Sequence, residues 1–205
     1  MRVVALTVVL ATLAQAETLT RTGLITNLPG LTIHGGADKF IEATGKVALT
    51  DGILEFIAVE PEGRDYESLL TLDCKPSELK FALLLIGCEA GETNGSPLAL
   101  EVEWQGKRMP VERLLLDRRT KKSPSKLPWR FTGSYFAKDP ISGREVFQAD
   151  QEAAFIALWS QPSILINLVG DFGNPYRGND QGFEVLQSAV PPKGTPVKLI
   201  FRRRD

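Results

Sequence analysis

From Leu98 to Trp104 the chain alternates, with Leu100, Val102 and Trp104 on one side of an extended strand and Glu101 and Glu103 on the other. Gln105-Gly106 then turns it into a second arm, Lys107 to Leu116, where Pro110 restricts part of the run to a sheet edge. Similar short apolar runs recur: Leu31–His34, Phe40–Ala43, Lys46–Leu49, Ile53–Val59, Ser68–Cys74, Trp129–Phe136, Glu145–Ala149, Ala153–Trp159, Ile164–Val169, Phe183–Leu186 and Val197–Phe201. Gly45 splits one pair of runs, Asp51-Gly52 predicts a hairpin turn, and Pro61-Glu62-Gly63 and Asp139 to Gly143 supply further breaks. Ser77 to Gly87 is the one helical pattern. Ser77 is its expected N-cap, Phe81, Leu84 and Leu85 form a face at i, i+3, i+4, and Gly87 stops it. Because Leu79, Leu83 and Ile86 widen the apolar surface, this helix is expected to be buried against a sheet. The expectation is an α+β chain: one β-rich domain of mostly antiparallel strands with one main buried helix over about 77–87.

The first sixteen residues carry a different pattern. Arg2 precedes an apolar run from Val3 to Leu13, and Ala14-Gln15-Ala16 is a small-x-small cleavage signal, so 1–16 reads as a secretory signal peptide cleaved after Ala16. The run is far shorter than the roughly 20 residues that span a bilayer. Glu17 occupies the position where a lipid-accepting cysteine would anchor a lipoprotein. The expected product is a secreted or periplasmic protein without a transmembrane segment, with a leader over 17–44 containing one weak strand and a single domain over 45–205.

Charge is balanced, 24 Lys and Arg against 25 Asp and Glu, and loss of Arg2 moves the net charge from −1 to −2. That excludes a global bias toward nucleic acid. Locally, Lys107 to Arg130 holds nine basic and two acidic residues, with Arg118, Arg119, Lys121 and Lys122 as a candidate patch for an anionic surface, against the commoner reading of a solvated loop. Cys74 and Cys88 flank the helix, whose length of roughly 15 Å exceeds the reach of a disulfide, so no bridge is favoured.

Complete catalytic sets are missing. The sole histidine, His34, lies in the poorly patterned leader, and Gly133-Ser134 lacks the second glycine of a nucleophile elbow, so a Ser–His–Asp triad is disfavoured. No group of residues has zinc-ligand spacing. Residues 171–182 are rich in oxygen ligands and glycine but lack the order and the closing Glu of a calcium loop, and read as a surface loop. No cofactor is expected.

Several blocks carry a resemblance. Gly52-Ile53-Leu54-Glu55, Gly63-Arg64-Asp65-Tyr66-Glu67-Ser68-Leu69, Lys75-Pro76-Ser77 with Ala82 to Gly87, Pro128-Trp129-Arg130-Phe131-Thr132-Gly133-Ser134 with Lys138-Asp139, and Pro191-Pro192-x-Gly194-Thr195-Pro196-Val197 follow one another in order. Together they resemble the YdjY-like family of bacterial exported proteins, a largely uncharacterised group. Tyr66 stands where the family block commonly has His. Some members are associated with iron–sulfur modules, but a cysteine-held cluster needs about four thiolates and this chain has two cysteines. Arg64, Tyr66 and Glu67, between a glycine turn and an apolar strand, are candidates, with Trp129, Lys138 and Asp139 of the later blocks, for binding an unknown protein or small-molecule ligand, against the commoner readings of an Arg64–Glu67 surface pair and a core Trp129, with catalytic residues unassigned.

Two functional readings follow. The preferred one is an exported, non-enzymatic binding or accessory module. The alternative is a hydrolase or isomerase of a small or cell-wall-derived substrate, using carboxylates such as Glu67, Asp139 and Asp150, which requires two of them to converge. An accessory role beside an exported redox system rests on the family association alone.

Overall fold

The computed structural model describes residues 23–173 and 181–204. The signal-peptide pattern of 1–16 and most of the 171–182 loop lie outside the described residues. The first half of the chain runs β1 (Leu24–Leu28), β2 (Leu31–His34), β3 (Phe40–Val47), β4 (Ile53–Leu54), β5 (Phe56–Val59), β6 (Ser68–Leu72), α1 (Pro76–Leu85) and β7 (Pro97–Trp104). The second half runs β8 (Lys107–Pro110), β9 (Leu115–Asp117), β10 (Trp129–Phe131), β11 (Phe136–Lys138), β12 (Glu145–Phe147), α2 (Gln148–Gln151), β13 (Ala154–Ala157), β14 (Ile166–Leu168), β15 (Phe183–Val185) and β16 (Pro196–Arg203).

Eight of these strands close a ring in the order β3-β16-β7-β10-β14-β13-β5-β6, with β6 returning to β3. The fold is a mixed β-barrel rather than an α+β layer arrangement: β13–β14 and β5–β6 are parallel, and the other pairs of the ring are antiparallel. The β1–β2 hairpin extends the sheet from β3, β8 pairs with β7, and β4-β15-β9 and β11-β12 form two small sheets outside the ring. No helix among the described residues is long and apolar enough to cross a membrane.

Alternation places the core where the sequence pattern put it. Leu98, Leu100 and Val102 of β7, Val197, Leu199 and Phe201 of β16, and Ile41, Ala43 and Val47 of β3 are buried in one cluster with Trp129 and Phe131. The strand expected to break at Gly45 instead runs straight through it, and so across the 44/45 boundary expected for the leader. A side chain at Gly45 would run into the Thr71 carbonyl, because this is where the edge of β3 passes from pairing with β2 to pairing with β6. Asp51-Gly52 turns the chain at φ 100° but makes no hairpin: β4 pairs with β15, not with β3. Gln105-Gly106 does make one, both residues having positive φ between Trp104 and Lys107.

α1 begins at Pro76, one residue before the expected cap. Proline suits the first helical position, Glu78 Oε2 accepts the Lys75 amide at 2.8 Å, and Asp150 Oδ1 accepts the Ser77 amide at 2.8 Å. Gly87 ends it as expected, with the Cys88 amide bonded to the Leu83 carbonyl and the Gly87 amide to that of Leu84. The buried face is not the predicted one. Leu79, Ala82, Leu83 and Ile86 enter the core, whereas Phe81, Leu84 and Leu85 are 51%, 48% and 37% exposed. The helix carries two apolar stripes, and the one with the complete i, i+3, i+4, i+7 set is the one buried.

Candidate functional site

The short connection from β5 to β6 builds the site. These strands are parallel, so residues 60–67 must carry the chain back along the outer face of β5. That return path covers Phe56 and Val59, which pack with Ala154, Ala157 and Ile164 in a second buried cluster outside the main core. Arg64 lies on top, its guanidinium carbon 4.3 Å from the centre of the Phe56 ring, a cation–π contact. A 3-10 turn at Asp65–Glu67 then feeds β6.

Three carboxylates surround this guanidinium. Arg64 Nη2 donates to Glu152 Oε2 at 2.9 Å, Nη1 is 3.9 Å from Glu55 Oε2, and Nε is 3.9 Å from Glu67 Oε1. Glu55 sits where the chain leaves the small outer sheet for the barrel, its amide donating to the Glu67 carbonyl and its own carbonyl accepting from the Leu158 amide. Burial, then the Glu67 charge and a hydrogen bond to Glu67, push the Glu55 carboxyl up to about 7 against the pull of Arg64. Glu55 therefore keeps its proton into the neutral range beside Glu67 and Arg64. Trp159 packs against the far side of this cluster, 6.4 Å from Phe56 between ring centres, and lines a hollow of about 340 Å³ with Ser160, Asp171 and Phe172.

Of the residues singled out in the sequence, Arg64 and Glu67 meet here, with Tyr66 68% exposed beside them. The others are elsewhere. Trp129 is fully buried, and its Nε1 donates to Glu112 Oε1 at 3.1 Å. That carboxylate oxygen also accepts the Leu127 amide at 3.1 Å, with Arg204 Nη2 at 3.9 Å. Trp129 is thus a core residue and Glu112 an interior anchor, not a diluting charge in a basic surface. Lys138 and Asp139 lie on the β11–β12 hairpin, where Asp139 accepts the Ser142 and Ile141 amides; those bonds, Ser142 first, hold its carboxyl below the usual range.

The three carboxylates proposed for acid–base work do not form one group. Glu67 faces Arg64 and Glu55, Asp139 closes its own turn, and Asp150 caps α1. Glu55 and Glu152 take the places that Asp139 and Asp150 were expected to fill. Glu55 was in view as the last letter of the Gly-x-Leu-Glu block, whereas Glu152, 88 positions from Arg64, left no local signal.

The basic run is ordered by Asp117, whose Oδ1 accepts the Arg119 and Thr120 amides. Arg119, Lys121 and Lys122 are exposed, but Arg118 turns inward, with Nη1 donating to the Gln181 carbonyl at 2.9 Å and Nε 3.7 Å from Glu184. His34 stacks on Phe40 at 4.1 Å with Nε2 3.6 Å from Glu42, while Ser134 Oγ donates to the Ser163 carbonyl. Neither has the other as a partner. Cys74 and Cys88 are buried free thiols, both pushed up chiefly by burial, Cys88 to about 11. Among the described residues no group of three or more His, Cys, Asp or Glu is arranged to hold a metal ion.

Set against known families, residues 37–202 match the model of the YdjY domain. Comparison with curated proteins and with solved structures gives no match.

Proposed function

The chain belongs to the YdjY domain family, and from that premise we propose that it is an exported, non-enzymatic binding module that presents the Gly63–Ser68 segment to a partner. The supporting observation is that Glu55, Arg64 and Glu67, drawn from two separate sequence blocks of the family, converge on one partly exposed guanidinium. Turns placed over a rigid scaffold are where binding side chains are commonly displayed. Export rests on the n-region, apolar run and cleavage signal of residues 1–16. The cluster sets three carboxyl groups around one guanidinium, so the complementary partner carries a basic or hydrogen-bond-donating group. A photo-cross-linking residue in place of Tyr66, which is 68% exposed, tests this in the extracytoplasmic fraction. The expected adduct forms at position 66, is absent with the same residue at Ile141, and is lost in the Arg64→Ala/Glu67→Ala variant. An adduct of equal yield in that variant refutes the segment as the binding surface.

A second reading has one observation in its favour. A carboxyl pushed up to about 7 beside a second carboxyl is the arrangement general acid–base catalysis uses, which fits a hydrolase or isomerase acting through Glu55 and Glu67. Glu55→Gln separates the readings: it abolishes turnover in a catalyst and leaves the Tyr66 adduct in a binding module.

A further inference from the structure

A second site lies at the end of β10, and we propose that it binds one polyhydroxylated six-membered ring, a ligand of monosaccharide size. Past Phe131 the chain turns through Gly133 at φ 91° and Ser134 at φ 53°. A serine in the left-handed region is uncommon. It is held there by its own hydroxyl, which donates to the Ser163 carbonyl at 2.7 Å and accepts the Ala149 amide at 3.1 Å. The turn opens a hollow of about 180 Å³ between Thr132, Ser134, Asn167 and Ser160, with Tyr135 and Glu92 at its rim. A cavity of about 150 Å³ is enough to take benzene when its walls are apolar. This one has room for a ring, and polar side chains share its walls with apolar surface.

The hydrogen-bond inventory fixes what kind of ring. The Thr132 hydroxyl donates to the carbonyls of Ile164 and Leu165, both at 3.2 Å, and accepts from Asn167 Nδ2 at 2.6 Å. Asn167, 1% exposed, spends its second hydrogen on the Ile164 carbonyl, while its Oδ1 accepts the Gln161 amide at 2.8 Å. Each of Thr132, Ser134 and Asn167 has therefore used its hydrogens within the fold and retains one lone pair. Glu92 adds a carboxylate that only accepts. Such a wall is complementary to a ligand bearing several O–H donors at ring spacing. Tyr135, 48% exposed, offers an aromatic face for the ring's C–H side. An alkylammonium ion matches less well, because the one charge is on an exposed rim residue and the walls are neutral.

The site does not depend on the Arg64 cluster, and the test keeps them apart. Amide spectra of the mature, full-length domain are titrated with methyl β-D-glucopyranoside and with N-acetylglucosamine, using cyclohexanol and ethylammonium as controls. At least one sugar is expected to give saturable shifts at Thr132, Ser134, Tyr135, Ser160 and Asn167. Tyr135→Ala and Ser160→Trp, both at exposed positions, are expected to weaken its binding by at least about tenfold, with distant resonances unmoved, and Arg64→Ala to leave it unchanged. Absence of saturable shifts with both sugars, shifts that both rim variants leave intact, or a response to a control ligand alone overturns the proposal.

Discussion

Glu55 binds its proton more tightly in the folded chain than in the unfolded one, and that difference is a statement about stability. Its raised pKa contributes stability that is complete below the ordinary value of 4.5 and is lost as the pH climbs through about 7. The shift corresponds to an effect on the order of 3 kcal/mol. Glu60, pushed up by burial and by Asp150, adds a slope of the same sign, so the comparison must be with a variant. Glu55→Gln is expected to flatten the fall in stability between pH 5 and pH 8 and to be the more stable chain at pH 8, read from urea midpoints at the two values. A wild-type slope that survives the substitution places the proton elsewhere. Arg64 and Glu67 were legible as candidates because they follow a glycine turn and precede an apolar strand. Trp129 could be read either way because a core tryptophan and a ligand-stacking one look alike in a sequence. What separates them is Glu112, seventeen positions away and buried with it.

The same ambiguity governs elements. Alternation revealed the strands with one polar side, such as β7, and continuous apolar runs revealed β5 and β13, whose residues are all buried because the return path over β5 covers the outer face. Where strands stop was less legible. The run from Trp129 to Phe136 is cut by left-handed Ser134, and that from Lys107 to Leu116 by a 3-10 turn at Val111–Leu114. Both breaks are set by partners distant in sequence. α1 shows the limit of periodicity: two apolar stripes share one helix, and only the sheet beneath decides between them. Leu83→Ala is therefore expected to cost about 2–5 kcal/mol, whereas Leu84→Ala, on the face the periodicity favoured, should stay within about 0.5 kcal/mol. Denaturant midpoints of the two variants measure this, and comparable losses would mean that both stripes are packed.

At the scale of the whole molecule, ring closure is the property that no local pattern carries. The chain's last described strand, β16, lies between β3 and β7, and β3 must also accept β6, so the ring closes only when strands from early and late in the described chain pair. Such non-local pairing makes closure late and cooperative. The strand order could not be read from the sequence for this reason: each strand's partner is fixed by the others. Gly45 is the joint of this logic, since it pairs with Leu72 on one side and Val197 on the other while the Thr71 carbonyl occupies the space a Cβ would take. Gly45→Ala must push β6 away from β3, an overpacking cost of about 1–3 kcal/mol or more. Because the seam belongs to a closed ring, the damage should spread: amide exchange is expected to accelerate at Val47 and Leu72 and also across β16 and β7, rather than only beside the substitution. Faster exchange confined to residues 45–47 and 70–72 would instead describe an open sheet whose two edges merely touch.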